Sequence, residues 1–282
     1  MSIKPHLRIF MMALQTLFGI RRQGFFIPYR YCDQLADTGT QQKYSALNNI
    51  FLASHERHRD FIKQLNSYEN ELNFENITSP PGPRWHQTWF PRLDGASAYT
   101  IVRKQKPSKI IEIGSGHSTR FMAQAIQDER LKTEFISIDP EPRANISEVK
   151  VRTEKITLDK VDMSIFETLK KNDILFIDSS HILMPGTDVD FLFNRIFPII
   201  SIGTLIHIHD IFLPYDYPRE WSWRNYNEQQ AVGTLIQGGN FEIIFSSQYS
   251  LINFAKELSQ GPINQIHLPK NSYETSLWLK KV

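Results

Sequence analysis

Short apolar segments alternate with helical segments along most of this chain, and several of them are followed at once by a charged or polar residue. Runs of this length, bounded by turn residues, are typical of strands buried on both faces. Strands alternating with helices predict an α/β fold, with a doubly wound, mostly parallel sheet and helices on both of its faces. The predicted strands cover residues 109–113, 135–138, 149–156, 174–177, 204–208, 241–245 and 276–279.

Charged residues follow three of these strands. Asp139 and Asp178 each come directly after a predicted strand, and His209-Asp210 follows the strand at 204–208. Because the carboxyl ends of parallel strands meet at one edge of a sheet, we expect these side chains to lie close together. Ligands of doubly wound sheets bind at this edge, so the sequence predicts a functional site there.

The N-terminal segment differs from the rest. It contains basic residues but no acidic residue before Asp33. Apolar residues recur at helical spacing from Leu7 to Phe18. The apolar run is too short to span a bilayer, and no signal-peptide cleavage pattern follows it. Two hypotheses stay open: the helix packs on protein, either the body of the chain or a second copy in a homodimer, or it makes a peripheral membrane contact.

Proline and glycine mark a linker at residues 79–83. We therefore predict an N-terminal helical extension over residues 1–83 and a main domain over residues 84–282. The net charge of +2 gives no indication of nucleic-acid binding. Cys32 is the single cysteine, which excludes an intramolecular disulfide and a metal site built on several thiolates. It favours a reducing compartment, and we expect a cytoplasmic protein.

A glycine-containing loop follows the strand at 109–113. Gly114 and Gly116 allow a tight turn and a close approach to a ligand, and Ser118 or Thr119 can cap the next helix. Asp139, at the end of the following strand, is placed to accept hydrogen bonds from ribose hydroxyls. The dinucleotide fingerprint needs a third glycine where Thr119 stands, which argues against NAD.

The segment Glu112-Ile113-Gly114-Ser115-Gly116-His117-Ser118-Thr119, together with Ile138-Asp139-Pro140, resembles the class I S-adenosylmethionine-dependent methyltransferases. The resemblance is to a bacterial small-molecule branch similar to catechol O-methyltransferase. It implies a seven-stranded Rossmann-like sheet and S-adenosyl-L-methionine as cofactor, with the Gly114–Gly116 loop at its methionine end and Asp139 at its ribose. Asp94-Gly95 would close over the sulfonium. The implied cofactor residues are Glu112, Gly114, Ser115, Gly116, Ser118, Asp139 and Asp178.

The chemistry is expected after the strand at 174–177. Methyl transfer is an in-line displacement, so the enzyme mainly aligns the acceptor and removes its proton. His181, three residues after Asp178, is suited to that role near neutral pH. By resemblance to the catechol enzymes, which have lysine at this position, His181 is the predicted general base. A histidine that only caps its loop is the alternative.

The same resemblance suggests a metal site. In the catechol enzymes an Asp-Asn pair falls where this chain has His209-Asp210, and it completes a Mg²⁺ site with the earlier Asp. Imidazole suits Mn²⁺, Fe²⁺ or Zn²⁺ better than Mg²⁺. A divalent metal held by Asp178, His209 and Asp210 is therefore one hypothesis. A metal-free site in which these groups orient the acceptor is the other. His207 is predicted to be a core histidine.

These features predict an S-adenosylmethionine-dependent methyltransferase acting on a hydroxyl of a small-molecule acceptor. Aromatic residues between Pro214 and Trp223 could stack on a sugar or aromatic acceptor, or could form an ordinary packed lid. A non-catalytic methyltransferase-like binding protein is the main alternative. A metal-dependent oxygenase using His207, His209 and a carboxylate would leave the glycine loop unexplained.

Overall fold

A computed structural model describes residues 3–35, 43–72, 74, 81–142, 146 and 149–282 of the chain. The strands are β1 (Lys109–Ile113), β2 (Glu134–Ile138), β3 (Arg152–Glu154), β4 (Ile174–Ile177), β5 (Leu205–Ile208), β6 (Phe241–Ser246) and β7 (Leu277–Lys281). The helices are α1 (Ile3–Leu17), α2 (Ser45–Ala53), α3 (His55–Asn66), α4 (Arg92–Gln105), α5 (His117–Asp128), α6 (Ser164–Glu167), α7 (Asp188–Phe191), α8 (Phe197–Ile199), α9 (Glu228–Gln237), α10 (Ser247–Asn253) and α11 (Ala255–Ser259).

The strands form one seven-stranded sheet in the order β3-β2-β1-β4-β5-β7-β6. Strands β1 to β5 run parallel to one another, whereas β7 is antiparallel to both β5 and β6. The predicted doubly wound, mostly parallel, Rossmann-like fold is confirmed. Because β1 and β4 lie side by side at the centre, the loops that follow them are brought together at the carboxyl edge.

The core lies on both faces of the central strands. All four residues of β4 and of β5 are buried, as expected of continuous apolar runs in a parallel sheet. His207 is fully buried, with its ring 3.8 Å from that of Phe176 and its Nε2 2.8 Å from the Ser276 hydroxyl. Its position is that of the core histidine predicted from the sequence.

Two compact units make up the chain. The larger comprises residues 43–215 and 226–282, and the smaller comprises residues 1–42 and 216–225. The predicted boundary between residues 83 and 84 falls inside the larger unit and stays a prediction. Residues 79 and 80 of the predicted linker lie outside the described residues.

In the smaller unit, α1 carries exposed apolar side chains, and Cys32 is exposed as well. Within the described ranges, no helix has both the length and the apolarity needed to cross a membrane. The apolar side chains of α1 and the turn after it that stand exposed are Leu7, Ile9, Phe10, Met11, Leu17, Phe18 and Ile20.

Two helical segments of the larger unit are interrupted. Residues 188–196 are α-helical over Asp188–Phe191 and continue as a π-helical turn over Leu192–Ile196. Residues 45–66 form two helices, α2 and α3, which are divided at Ser54.

Candidate active site

Two groups of residues meet at the carboxyl edge of the sheet. We call residues 112–119 and 139–141, after β1 and β2, the glycine-loop half. We call Asp178, His181, Asp210 and Glu228 the histidine half.

Gly114 joins the two halves. It follows β1 with φ of +81°, a backbone conformation that favours glycine, and a Cβ atom at this position would lie 2.1 Å from the backbone oxygen of Asp178. The loop after β1 therefore passes directly against the end of β4. At Gly116, by contrast, a Cβ would meet no atom within 4 Å, so that side of the loop is open.

Glu112 and Ser118 lie behind the loop. The Ser118 and Thr119 hydroxyls each donate a 2.7 Å hydrogen bond to the Glu112 carboxylate, and the Gly116 N–H donates to the Thr119 hydroxyl. Glu112 is fully buried, and burial raises its pKa to about 8 despite these hydroxyl donors. Glu112 and Ser118, two of the predicted cofactor residues, thus fix the start of α5. The Ser118 hydroxyl bonds to Glu112, and the Glu112 carboxylate also binds the Thr119 hydroxyl.

Asp139 connects the loop to the end of β2. One carboxylate oxygen accepts hydrogen bonds from the Ser115 N–H (2.9 Å) and hydroxyl (2.8 Å), and the other accepts from the Glu141 N–H. Asp139 is half-buried. Asp139 and Ser115, two predicted cofactor residues, are in direct contact and stand beside the open side of the loop.

His181 is the centre of the histidine half. Its Nε2 lies 3.4 Å from an oxygen of Asp178 and 3.4 Å from an oxygen of Asp210, while its Nδ1 lies 2.8 Å from Glu228 Oε2. The side chain is 4% exposed, and the residue has a left-handed φ of +61°. The predicted base and the carboxylates predicted at two strand ends are therefore brought into one cluster.

The carboxylates determine the charge of this cluster. Burial by itself would lower the pKa of His181, but Asp178, Glu228 and Asp210 outweigh it and hold that pKa well above its ordinary value. Burial would raise the pKa of Asp178, yet His181 and His209 lower it to about 2. The carboxylates thus favour the imidazolium form of His181, and Nε2 can act as a base only in the neutral form.

Glu228 was missed in the sequence. It begins α9, and a glutamate in the first turn of a helix is ordinary because it interacts favourably with the helix dipole. Its role becomes visible only in the structure, where Glu228 is buried and contacts His181, 47 positions earlier in the chain. No local pattern in the sequence connects these two positions.

Asp94 and Gly95, predicted to close over the sulfonium, have structural partners. The fully buried Asp94 carboxylate accepts hydrogen bonds from the Thr275 and Ser276 N–H groups at 3.0 and 2.9 Å. A Cβ at Gly95 would lie 2.7 Å from the Phe121 ring. These residues join α4 to the segment before β7 and to α5.

The predicted metal ligands already have contacts with protein groups. His209 Nε2 donates a 3.0 Å hydrogen bond to the Trp89 carbonyl oxygen, so this nitrogen carries a proton, and its Nδ1 has no hydrogen-bond partner among the described residues. The imidazole of His181 already lies between the carboxylates of Asp178 and Asp210. Over the described residues, no group of three or more His, Cys, Asp or Glu side chains is arranged to hold a metal.

Comparison with known proteins agrees with the fold. Residues 111–211, which include the glycine-loop half and Asp178, His181 and Asp210 but not Glu228, match a family model described as a methyltransferase domain. A search of curated proteins gives no match to this sequence.

Solved structures with a similar fold include a methyltransferase of Podospora anserina bound to S-adenosylhomocysteine. It is 13% identical, with a TM-score of 0.43 over 92% of this chain and 100% of that one. An O-methyltransferase of Bacillus cereus is 13% identical, with a TM-score of 0.40 over 79% and 91%. The O-methyltransferase TomG of Streptomyces achromogenes is 11% identical, with a TM-score of 0.42 over 77% and 89%. Values this low carry no conclusion about substrate.

The family match and the sheet topology agree with each other. Residues 111–211 match the methyltransferase-domain model, and they lie on a seven-stranded Rossmann-like sheet. The glycine-loop half lies within the matched residues.

Proposed function

We propose that the protein transfers a methyl group from S-adenosylmethionine to a hydroxyl of a small-molecule acceptor, with His181 as the general base. The observation that carries this proposal is the contact between the two halves. Gly114 lies against the Asp178 carbonyl, and the Asp178 carboxylate lies 3.4 Å from His181 Nε2. A ligand held by the glycine loop is thereby close to the imidazole.

The chain's own residues supply alignment and proton removal. S-adenosylmethionine supplies an electrophilic methyl group on a sulfonium. The neutral form of His181 would accept the hydroxyl proton at Nε2, and Asp178 and Asp210 would stabilise the imidazolium that results. We propose no step through a metal, because no group of three or more His, Cys, Asp or Glu side chains among the described residues is arranged to hold one.

An exposed tryptophan supports an acceptor with a flat ring face. Trp89 is 62% exposed, its ring centre lies 6.0 Å from that of His117 at the start of α5, and its carbonyl oxygen binds His209 at the end of β5. The backbone of Trp89 is thus held at the end of β5, and its exposed indole lies near the start of α5. Sugars and aromatic compounds both stack on such a surface, so we propose a sugar or aromatic acceptor.

The test is a methyl-transfer assay with S-adenosylmethionine labelled on its methyl group and a panel of sugars, phenols and catechols. For an acceptor that is methylated, His181→Ala should lower kcat by about 10²–10⁴-fold while calorimetric affinity for S-adenosylmethionine is kept. The exposed His267 offers the matched control, His267→Ala, which should turn over normally. Native turnover by His181→Ala would refute the assignment of the base.

Ligand binding separates this proposal from a non-catalytic role. S-adenosylmethionine and S-adenosylhomocysteine should raise the melting temperature, and NAD should not, because only a ligand of the native state stabilises it. Stabilisation without transfer to any acceptor in the panel would favour the binding-protein hypothesis.

A further inference from the structure

Three consecutive residues at the start of α9 bind the loops that follow β4 and β5. We call Asn227, Glu228 and Gln229 the α9 bracket. The backbone N–H of Asn227 donates to the His181 carbonyl (3.1 Å), and its side-chain amide both accepts from the Leu183 N–H (2.7 Å) and donates to the Leu183 carbonyl (3.3 Å). Asn227 therefore holds the backbone from His181 to Leu183 in place.

Gln229 makes the corresponding contacts with the loop after β5. Its Oε1 accepts from the Phe212 N–H at 3.1 Å, and its Nε2 donates to the Tyr215 carbonyl at 3.5 Å. Asp210 lies just before this loop, so the bracket also fixes the segment that carries the second carboxylate facing His181. One short sequence thereby holds both sides of the histidine half.

Glu228 makes the central contact. Its side chain is 1% exposed, its Oε2 lies 2.8 Å from His181 Nδ1, and its Oε1 has no hydrogen-bond partner within the described part of the chain. Removing a carboxylate from water is costly unless it is paired. The imidazole of His181 is the partner that this carboxylate has, and the two form a buried pair.

We propose that Glu228 is the positioning residue of His181: it binds the Nδ1–H and so directs Nε2, the nitrogen that takes the proton, toward the carboxyl edge. This inference rests on the proposed function. As the acceptor oxygen forms its bond to the methyl carbon, the sulfur–methyl bond breaks and the sulfonium becomes a neutral thioether. The hydroxyl proton passes to Nε2, while the proton on Nδ1 stays on the Glu228 side.

Three variants test this role. Glu228→Ala removes the acceptor of the Nδ1–H and should lower kcat about 10–100-fold, because a misplaced catalytic group loses this much rate. KM for S-adenosylmethionine should be unchanged. Glu228→Gln has the same shape and retains an oxygen acceptor, so it should recover part of kcat. Glu274→Gln is the control, because Glu274 is also a buried glutamate but binds Arg92 and the Leu93 N–H, and it should leave kcat unchanged.

A spectroscopic measurement tests the contact without an acceptor. In protein labelled with ¹⁵N-histidine, a strong Nδ1–H hydrogen bond should give a downfield ring proton that exchanges slowly with water, assigned by its loss in His181→Gln. We expect this signal in the native protein and in Glu228→Gln, and its loss in Glu228→Ala. Because Gln preserves the side-chain volume, this variant keeps the comparison valid if Glu228→Ala does not fold.

The outcomes separate this inference from the proposed function. Persistence of the downfield signal in Glu228→Ala, or native kcat in that variant after the signal is lost, would overturn the positioning role. Equal loss of kcat in Glu228→Gln and Glu274→Gln would overturn it as well, because it would show a general effect of neutralising a buried carboxylate. Failure of the proposed function is recognised separately, by native turnover in His181→Ala.

Discussion

The two halves of the site are built differently, although they lie at the same edge of one sheet. The glycine-loop half is local: Ser118 and Thr119 both donate to Glu112 within a span of eight residues. Asp139, which follows the neighbouring strand, accepts two hydrogen bonds from Ser115. The histidine half combines residues from the loops after β4 and β5 with one residue of α9, and it joins them through charge. A local motif can be recognised in a sequence, whereas a charge cluster assembled from distant residues can be recognised only once the fold is known.

Because of this difference, we expect substitutions that change the backbone conformation to destabilise the glycine-loop half more than the histidine half. Gly114→Ala should lower the free energy of unfolding by about 2–4 kcal/mol, because it combines a strained positive φ with a Cβ pressed on the Asp178 carbonyl. Urea denaturation measures the effect. Gly116→Ala is the matched control, since open space surrounds that position, and it should fold normally. Equal stability of both variants would contradict the contact between the halves.

Asp139 tests cofactor binding by the glycine-loop half alone. We expect Asp139→Ala to weaken S-adenosylmethionine binding at least about 100-fold, because two charge-assisted hydrogen bonds are each worth roughly 1.5–3 kcal/mol. The variant also releases the Ser115 end of the loop. Calorimetry gives the affinity. An unchanged dissociation constant would remove Asp139 from the cofactor site.

Stability should respond to pH through Glu112. Its folded pKa of about 8 lies above the value of 4.5 for an unperturbed glutamate, so between these values the native state binds more protons than the unfolded state. Stability must then fall as pH rises through this range, by a few kcal/mol at most, since one pKa unit corresponds to about 1.4 kcal/mol. Denaturation of Glu112→Gln should show a weaker pH dependence than that of the native protein.

Activity should respond to pH in the opposite direction, through the histidine half. The carboxylates hold the pKa of His181 well above its ordinary value, so the neutral base becomes more abundant as pH rises. The rate of methyl transfer should therefore increase with pH, with its midpoint above the usual histidine value of about 6.5. A plateau already reached at pH 6 would show that His181 is not the base.

Metal chelation should have little effect on the rate of methyl transfer. EDTA should leave kcat unchanged, because His209 and the Asp178–Asp210 pair are already engaged by protein groups. A loss of activity that Mg²⁺ or Mn²⁺ restores would revive the metal hypothesis.

Deleting residues 1–22 tests the two hypotheses for α1. If α1 packs on protein, the deletion should lower the melting temperature or change the oligomeric state seen by light scattering, with kcat retained. Loss of binding to anionic liposomes as the sole effect would favour a peripheral membrane contact instead.

The sequence predicted the sheet well, because apolar runs such as 174–177 and 204–208 are a direct consequence of burial on both faces. It also predicted that Asp139, Asp178 and His209-Asp210 would lie at one edge, and the structure places Asp178 and Asp210 each 3.4 Å from His181 Nε2. It could not predict Glu228, whose role depends on how α9 approaches the loop after β4. The metal site inferred from resemblance stays a prediction, and the imidazole of His181 lies within 3.4 Å of both carboxylates that were expected to bind the ion.

The single exposed cysteine has a practical consequence. Because Cys32 lies in the smaller unit and has no competing thiol in the chain, a maleimide dye will label one position without further engineering. Fluorescence anisotropy of that dye would report on the N-terminal segment separately from the catalytic chemistry. The same label would follow the segment in mixtures with vesicles or with unlabelled protein.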